Sequence, residues 1–271
     1  MTSVIAITDD AAKIVSALDA LPTLPVIALQ IGEVVHSKTA SVQRVADLLR
    51  ADPATSAKLL RLVNSPYFGI PGGVADIARA IPFVGFNTLY ELVLSISVIE
   101  TLGARALWSH SLTVATAARE LATELKAGDP GTCFTAGLLH DMGSIALAKL
   151  DPAAREAALP IHDRIGSELA KRWRFPAQLA AAIEHHHTVG RPEGRRIAPQ
   201  LRSIAEVVAA ADHISRECAA TFGESVAGED GDPELPDLFA RNGVSAATRQ
   251  LLADRTRREL ERSKVFLSLL D

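Results

Sequence analysis

Apolar residues recur three and four positions apart along most of this chain. Ile14, Leu18 and Leu21, then Ile27, Ile31, Val34 and Val35, then Val42, Val45, Leu48 and Leu49, then Leu59, Leu60 and Val63 each trace one helical face. No segment alternates apolar and polar residues with the period of a strand. Punctuation agrees with this reading. Ser41 precedes one apolar face as an N-cap, and Asp52-Pro53 places a capping carboxylate before a proline at the first helical position. Gly and Pro concentrate in residues 21–25, 64–73 and 188–199, where the helices should break. The pattern predicts an all-α protein, a multi-helix bundle with an N-terminal helical lobe over residues 1–102 and a second lobe over 103–220. Helices are expected in the second lobe over 104–126, 132–150, 162–175, 177–187 and 201–220. An acidic stretch, 224–237, carries Glu224, Glu229, Asp230, Asp232, Glu234 and Asp237 with no base and reads as a linker. A last amphipathic helix is expected over 245–269. Its basic face is either solvated or a surface for a partner.

Composition narrows the class. The 271 residues are 48% hydrophobic but only 4% aromatic, so the core must be built from aliphatic and small side chains. A net charge of −4 gives no global reason to bind a polyanion, and the basic C-terminal helix lacks interleaved aromatics, so no nucleic-acid partner is expected. The longest apolar run, Leu92 to Ile99, is far below the roughly 20 residues of a membrane-spanning helix, and the N-terminus lacks a basic region. No membrane association is expected, and a cytoplasmic location is. Cys133 and Cys218 in apolar helical contexts read as buried free thiols.

The histidines change this bland picture. There are eight, and all but His36 fall between His110 and His213. His140-Asp141 lies in the apolar sequence Gly137-Leu138-Leu139-His140-Asp141-Met142-Gly143, where an unpaired carboxylate would be costly to bury. His110, His162, His185-His186-His187 and Asp212 lie in separate predicted helices. A lone buried His or Asp is commonly a satisfied core or cap residue. Imidazoles and carboxylates converging from several helices instead suit a divalent transition metal such as Fe, Mn, Ni or Zn. If His140 and Asp141 share one helix, their side chains point about 100° apart, allowing the imidazole to bind one ion while the carboxylate bridges two.

Several motifs then occur in order: Leu21-Pro22, Leu24-Pro25, Asp52-Pro53, Leu59 through Gly69 with its Asn64-Ser65-Pro66 turn, Val84-Gly85, Trp108 with His110, Leu138-Leu139-His140-Asp141-Met142-Gly143, His162 with Gly166, Trp173 with Pro176, His186-His187 and Ala211-Asp212. Over residues 18–216 the chain resembles the HDOD family, the HD-related output domain of bacterial signalling proteins. That resemblance implies an all-helical fold related to HD phosphohydrolases and a role in bacterial signal transduction, usually without demonstrated catalysis. Carried over from related HD phosphohydrolases, His110, His140, Asp141 and Asp212 would form a first metal position. Asp141, His162, His186 and His187 would form a second, with His185 able to replace either neighbour. One or two ions are therefore implied, with Asp141 the bridging ligand if the site is active.

The departures from those relatives bear on function. Ser144 stands where many HD phosphohydrolases have a lysine. Thr188 through Pro192 lacks the Gly-Tyr-Pro element of cyclic-dinucleotide-cleaving relatives, and Ala106 lacks the glutamate that would extend the site to a third ion. Arg191, Arg195 and Arg196 either form a solvated basic loop or clamp an anionic ligand. Two readings follow. One is a non-catalytic output module that binds a signalling protein or small anionic ligand. The alternative is a metal-dependent phosphohydrolase or phosphodiesterase. Retained ligand types favour the second, and the missing lysine and Gly-Tyr-Pro element favour the first. Arg61 and Asn64 are expected to fix the Asn-Ser-Pro turn.

Overall fold

A computed structural model describes residues 23–103, 105–148, 159–190, 197–221, 239–240 and 243–266. Among these residues the chain is helical, with no strand. The helices are α1 (Val26–Val35), α2 (Val42–Arg50), α3 (Pro53–Val63), α4 (Ile77–Val84), α5 (Phe86–Leu102), α6 (Arg105–Leu125), α7 (Pro130–Leu139), α8 (Met142–Leu147), α9 (His162–Arg172), α10 (Ala177–His185), α11 (Pro199–Thr221) and α12 (Ala246–Ser263). The all-α expectation holds. Two compact units divide the chain, one from Thr23 to Arg105 with the stretch from Arg257 onward, the other from Ala106 to Thr256.

In the first unit, α1 packs on α5 and α2, while α3 and α4 fill the remaining faces. Local chemistry sets the helix starts. Ser41 Oγ accepts from the Arg44 N–H, and the Asp52 carboxylate accepts from the Thr55 N–H ahead of Pro53, as the sequence predicts. Asp76 caps α4 in the same way. Asn64 clamps the turn that follows α3: its amide donates to Val74 O at 2.9 Å and its oxygen accepts from Val74 N at 2.7 Å. The unit's interior is aliphatic, with Ile31, Leu49, Leu59, Leu62, Leu89 and Ile96 fully buried. Each such side chain contributes on the order of 1.5–3 kcal/mol relative to exposure.

The C-terminal helix expected over 245–269 is α12, and residues 267–269 lie outside the described residues. It ends at Ser263, and a tighter turn brings Phe266 edge-on against Tyr67, ring centroids 5.5 Å apart. Residues 224–237 lie outside the described residues.

In the second unit α10 lies against both α9 and α11, α7 lies against α10 and α11, and α8 packs on α9. Trp108 and Phe134 are its largest fully buried side chains, and Trp173, Phe175 and Phe239 are also buried. Ala181 and Ala182 of α10 and Ala205, Ala209, Ala210 and Ala211 of α11 are buried beside Leu179, Ile183, Val207 and Val208. Cys133 is a buried free thiol, as expected. No single described helix is long and apolar enough to cross a membrane. The apolar pair α4 and α5 is bent by 114°, and α5 is buried along most of its length.

Candidate metal centre

His140, Asp141, His162, His186 and His187 lie at helix ends, whereas His110 and Asp212 lie within α6 and α11, and two close backbone approaches hold together the helices that carry several of them. A Cβ on Gly137 of α7 would lie 2.8 Å from Ala115 Cα in α6, so only glycine allows this contact between the helices that carry His140 and His110. A Cβ on Gly143 of α8 would overlap the His162 carbonyl oxygen and lie 2.7 Å from Gly166 N, so α8 and α9 touch backbone to backbone. That contact places His162 beside Asp141.

The continuous helix expected over 132–150 is not formed. α7 ends at Leu139, and α8 begins at Met142. His140 keeps helical angles as the C-cap of α7, but Asp141 turns to φ −102°, ψ 19°. The two side chains therefore diverge at a break between helices, not by rotation along one. The cause is tertiary: α8 must swing to seat Gly143 on α9. The Asp141 carboxylate does not cap α8; its Oδ1 accepts from Ser144 Oγ at 2.9 Å.

All seven residues singled out from sequence converge. Three overlapping groups have mutually close donor atoms, within 4.8 Å in each: His110, His140 and Asp212; His140, Asp141 and His186; and His162, His186 and His187. His110 Nε2 lies 3.1 Å from Asp212 Oδ1, and His162 Nε2 lies 3.2 Å from Asp141 Oδ1. His187 and His162 meet Nε2 to Nε2 at 3.1 Å. His185, the third member of the triple histidine, is not in the cluster. It closes α10 with its Nδ1 3.5 Å from Thr188 Oγ1 and faces a separate groove beside Lys171, Phe175 and Leu201. Arg191, Arg195 and Arg196 lie outside the described residues.

Three imidazoles share one orienting device. Nδ1 of His140 bonds to Gly137 O at 2.8 Å, that of His162 to Leu159 O at 2.7 Å, and that of His186 to Ile183 O at 2.9 Å. A carbonyl only accepts, so each Nδ1 carries a proton and each ring turns its Nε2 toward the cluster. Metal-ligating histidines are held this way, with the far nitrogen donating to a carbonyl or carboxylate. His186 Nε2 is buried without a hydrogen-bond partner in the structure. A buried acceptor left this way costs about 1–3 kcal/mol, and a cation would remove that cost. The donor set fits a divalent metal ion.

The electrostatics point the same way. Burial, with neighbouring imidazoles, pushes His186 well below its ordinary value and His187 down to about 4, and burial lowers His140 as well. These rings are neutral near pH 7, the form that binds metal. Burial opposes ionisation of Asp141 and Asp212. For Asp141 it is outweighed by His140, His162 and the Ser144 hydroxyl, and for Asp212 by His110, His140 and Arg216, so both carboxyls titrate below the usual range. Burial also works against protonation of His110, but its contact with Asp212 prevails and raises it.

The sequence reading missed Arg216. Its Nη2 lies 2.9 Å from Asp212 Oδ2. The spacing of four along α11 was an available signal for that pair.

Known proteins and domains resemble this chain. The chain matches the HDOD domain over residues 21–161 and the HD domain over 107–217. An uncharacterized protein of Treponema pallidum is 28% identical over 206 residues, 66% of this chain and 40% of that protein. Ribonuclease Y of Lactobacillus gasseri is 33% identical over 118 residues, 44% of this chain and 19% of the enzyme. The chain thus matches less than half the length of either relative. The crystal structure of a candidate phosphohydrolase from Shewanella amazonensis superimposes with a TM-score of 0.70 at 24% identity, covering 97% of this chain and 98% of that one, and so shares its fold. The HDOD match takes in more than half of the 271 residues and ends among the histidines just described; the chain belongs to the HDOD domain family.

Proposed function

We propose that this chain is a signal-transduction output module whose histidine cluster binds a divalent transition metal without hydrolysing a substrate. It acts by binding a signalling protein or a small anionic ligand. The imidazole-rich donor set favours Fe, Mn, Ni or Zn over Ca or Mg. His110, His140, Asp141, His162, His186, His187 and Asp212 would hold one or two ions, which would supply positive charge to a core carrying two carboxylates.

The observation that carries the non-catalytic reading is the Ser144 hydroxyl on Asp141 Oδ1 at 2.9 Å. Phosphoryl transfer needs cations placed where charge develops on the phosphate oxygens. At the position where many HD phosphohydrolases carry a lysine, this chain holds a neutral side chain that faces the bridging carboxylate. Arg216, a cation beside the cluster, is engaged with Asp212. The phosphodiesterase reading draws on a different observation. His110 and Asp141 keep 30% and 27% of their side-chain surface open to solvent, enough for a small ligand to reach the cluster.

The test is turnover. Mn- or Fe-loaded protein incubated with cyclic dinucleotides, nucleotides and bis(p-nitrophenyl) phosphate should hydrolyse none of them faster than Asp141→Asn does. Turnover by the wild type that disappears in Asp141→Asn would overturn the non-catalytic reading.

A further inference from the structure

We propose that the groove beside His185 is a second ligand site, which takes a free α-amino acid with an apolar side chain. None of the residues that line it belongs to the histidine cluster, so the proposal stands apart from the reading of that cluster as a metal centre.

The groove is lined from α9, α10 and the start of α11 and has a volume of about 510 Å³, within the roughly 300–1,000 Å³ of small-molecule sites. Its floor is apolar. Ala177, Ala180 and Ala181 fall on one face of α10, where their short side chains leave room, and Phe175 and Leu201 add larger apolar surface. Two opposite charges also line it, Glu184 of α10 and Lys171 of α9.

Neither charge is fully used by the protein. Glu184 Oε2 accepts from the hydroxyl of Ser167, itself buried, at 2.6 Å. Among the described residues Oε1 has no partner, and 36% of the side chain is open to solvent. Lys171 Nζ bonds to Glu168 Oε1 at 2.9 Å and lies 3.5 Å from Glu184 Oε2, so at least one of its three N–H groups is left over. Burial works against ionisation of Glu184, but the Ser167 hydroxyl and Lys171 outweigh it and hold the carboxyl below its ordinary value, while the bond to Glu168 raises Lys171. Both groups are therefore charged near pH 7. An ion pair this long and this exposed contributes little by itself, so a ligand that exchanges it loses little. An α-amino acid carries an ammonium for Glu184, a carboxylate for Lys171 and an apolar side chain for the alanine floor, all on one carbon. A plain anion would meet Glu184, and a plain cation would meet Lys171.

The site is tested by calorimetric titration of the full chain with L-leucine and L-phenylalanine, EDTA being present throughout to exclude chelation at the histidine cluster. Each is compared with its analogue lacking the carboxylate, 3-methylbutylamine or phenethylamine, and its analogue lacking the amine, 4-methylpentanoate or 3-phenylpropanoate. At least one amino acid should bind, and its two analogues should bind more weakly by about tenfold or more. Glu184→Gln and Lys171→Met should each weaken binding by about tenfold, as expected when a charged hydrogen bond is lost. Ala180→Leu, which fills the floor, should abolish it. Circular dichroism establishes that each variant is helical, and should one fail to fold, the analogues decide the matter on the wild type. Binding of neither amino acid at millimolar concentration, analogues that bind as tightly as their amino acid, or full affinity in both Glu184→Gln and Lys171→Met would overturn the site.

Discussion

The two helical units use polar side chains differently. In the unit from Thr23 to Arg105, Ser41, Asp52 and Asp76 satisfy the first backbone N–H groups of α2, α3 and α4, and Asn64 closes a turn on Val74. Each of these polar atoms is explained by the backbone it serves. In the unit from Ala106 to Thr256, His140, His162 and His186 serve the backbone with one nitrogen and turn the other inward, toward one another and two carboxylates. Helix geometry accounts for the Nδ1 contacts but not for the inward Nε2 atoms, of which that of His186 is buried without a hydrogen-bond partner. The lesson is that a buried polar atom with no role in the fold marks where function lies.

Core damage in the first unit gives the largest effect and the sharpest separation of the two. Leu59 is fully buried. Leu59→Ala should cost about 2–5 kcal/mol in denaturant unfolding, while the folded protein keeps its metal content. Next is Gly143→Ala, whose new Cβ would overlap the His162 carbonyl. It should cost about 1–3 kcal/mol through overpacking and, unlike Leu59→Ala, should lower metal content by moving Asp141 from His162. Equal metal content in the two variants would dissolve the contrast drawn here. Asn64→Ala removes two hydrogen bonds at a turn. It should cost about 1–2 kcal/mol and leave the metal untouched.

The smallest effect is that of pH on the metal-free protein. Unfolded imidazoles titrate near pH 6.5, whereas His187 is held to about 4 and His140 and His186 are also lowered. Between those values the unfolded chain binds more protons, so this contribution to stability is complete above about pH 6.5 and declines as the pH falls toward 4. His110, raised by Asp212, has the opposite sign, its contribution present below about pH 6.5 and lost as the pH rises. Three lowered rings against one raised ring predict a net decline on acidification, read as a falling urea midpoint between pH 7 and pH 5. A midpoint that rises over that interval would remove the neutral-imidazole account.

Features set by local chemistry were legible in the sequence. The starts at Ser41 and Asp52-Pro53 and the helical class follow from spacing and residue type, and the set of seven converging residues was legible through the resemblance to HD phosphohydrolases. Tertiary contacts were not. The break at His140-Asp141 arises because α8 has to meet α9 at Gly143 and Gly166, and neither glycine alone announces its partner. Whether His185 belongs to the cluster depends on where α10 stops, which its alanines do not specify. The packing of Phe266 against Tyr67, far away in sequence, needed the structure. Arg216 could have been found from its spacing to Asp212, but its effect on the carboxylate needed the geometry.

The central claim is that the inward Nε2 atoms and carboxylates form a metal centre. The most direct measurement is the metal content, by mass spectrometry, of untagged protein exposed to Mn, Fe, Ni and Zn, beside the His140→Ala, Asp141→Ala double variant. The account predicts at least one transition-metal ion per wild-type chain and none in the helical double variant. A folded wild type that takes up no ion from any of the four would contradict it.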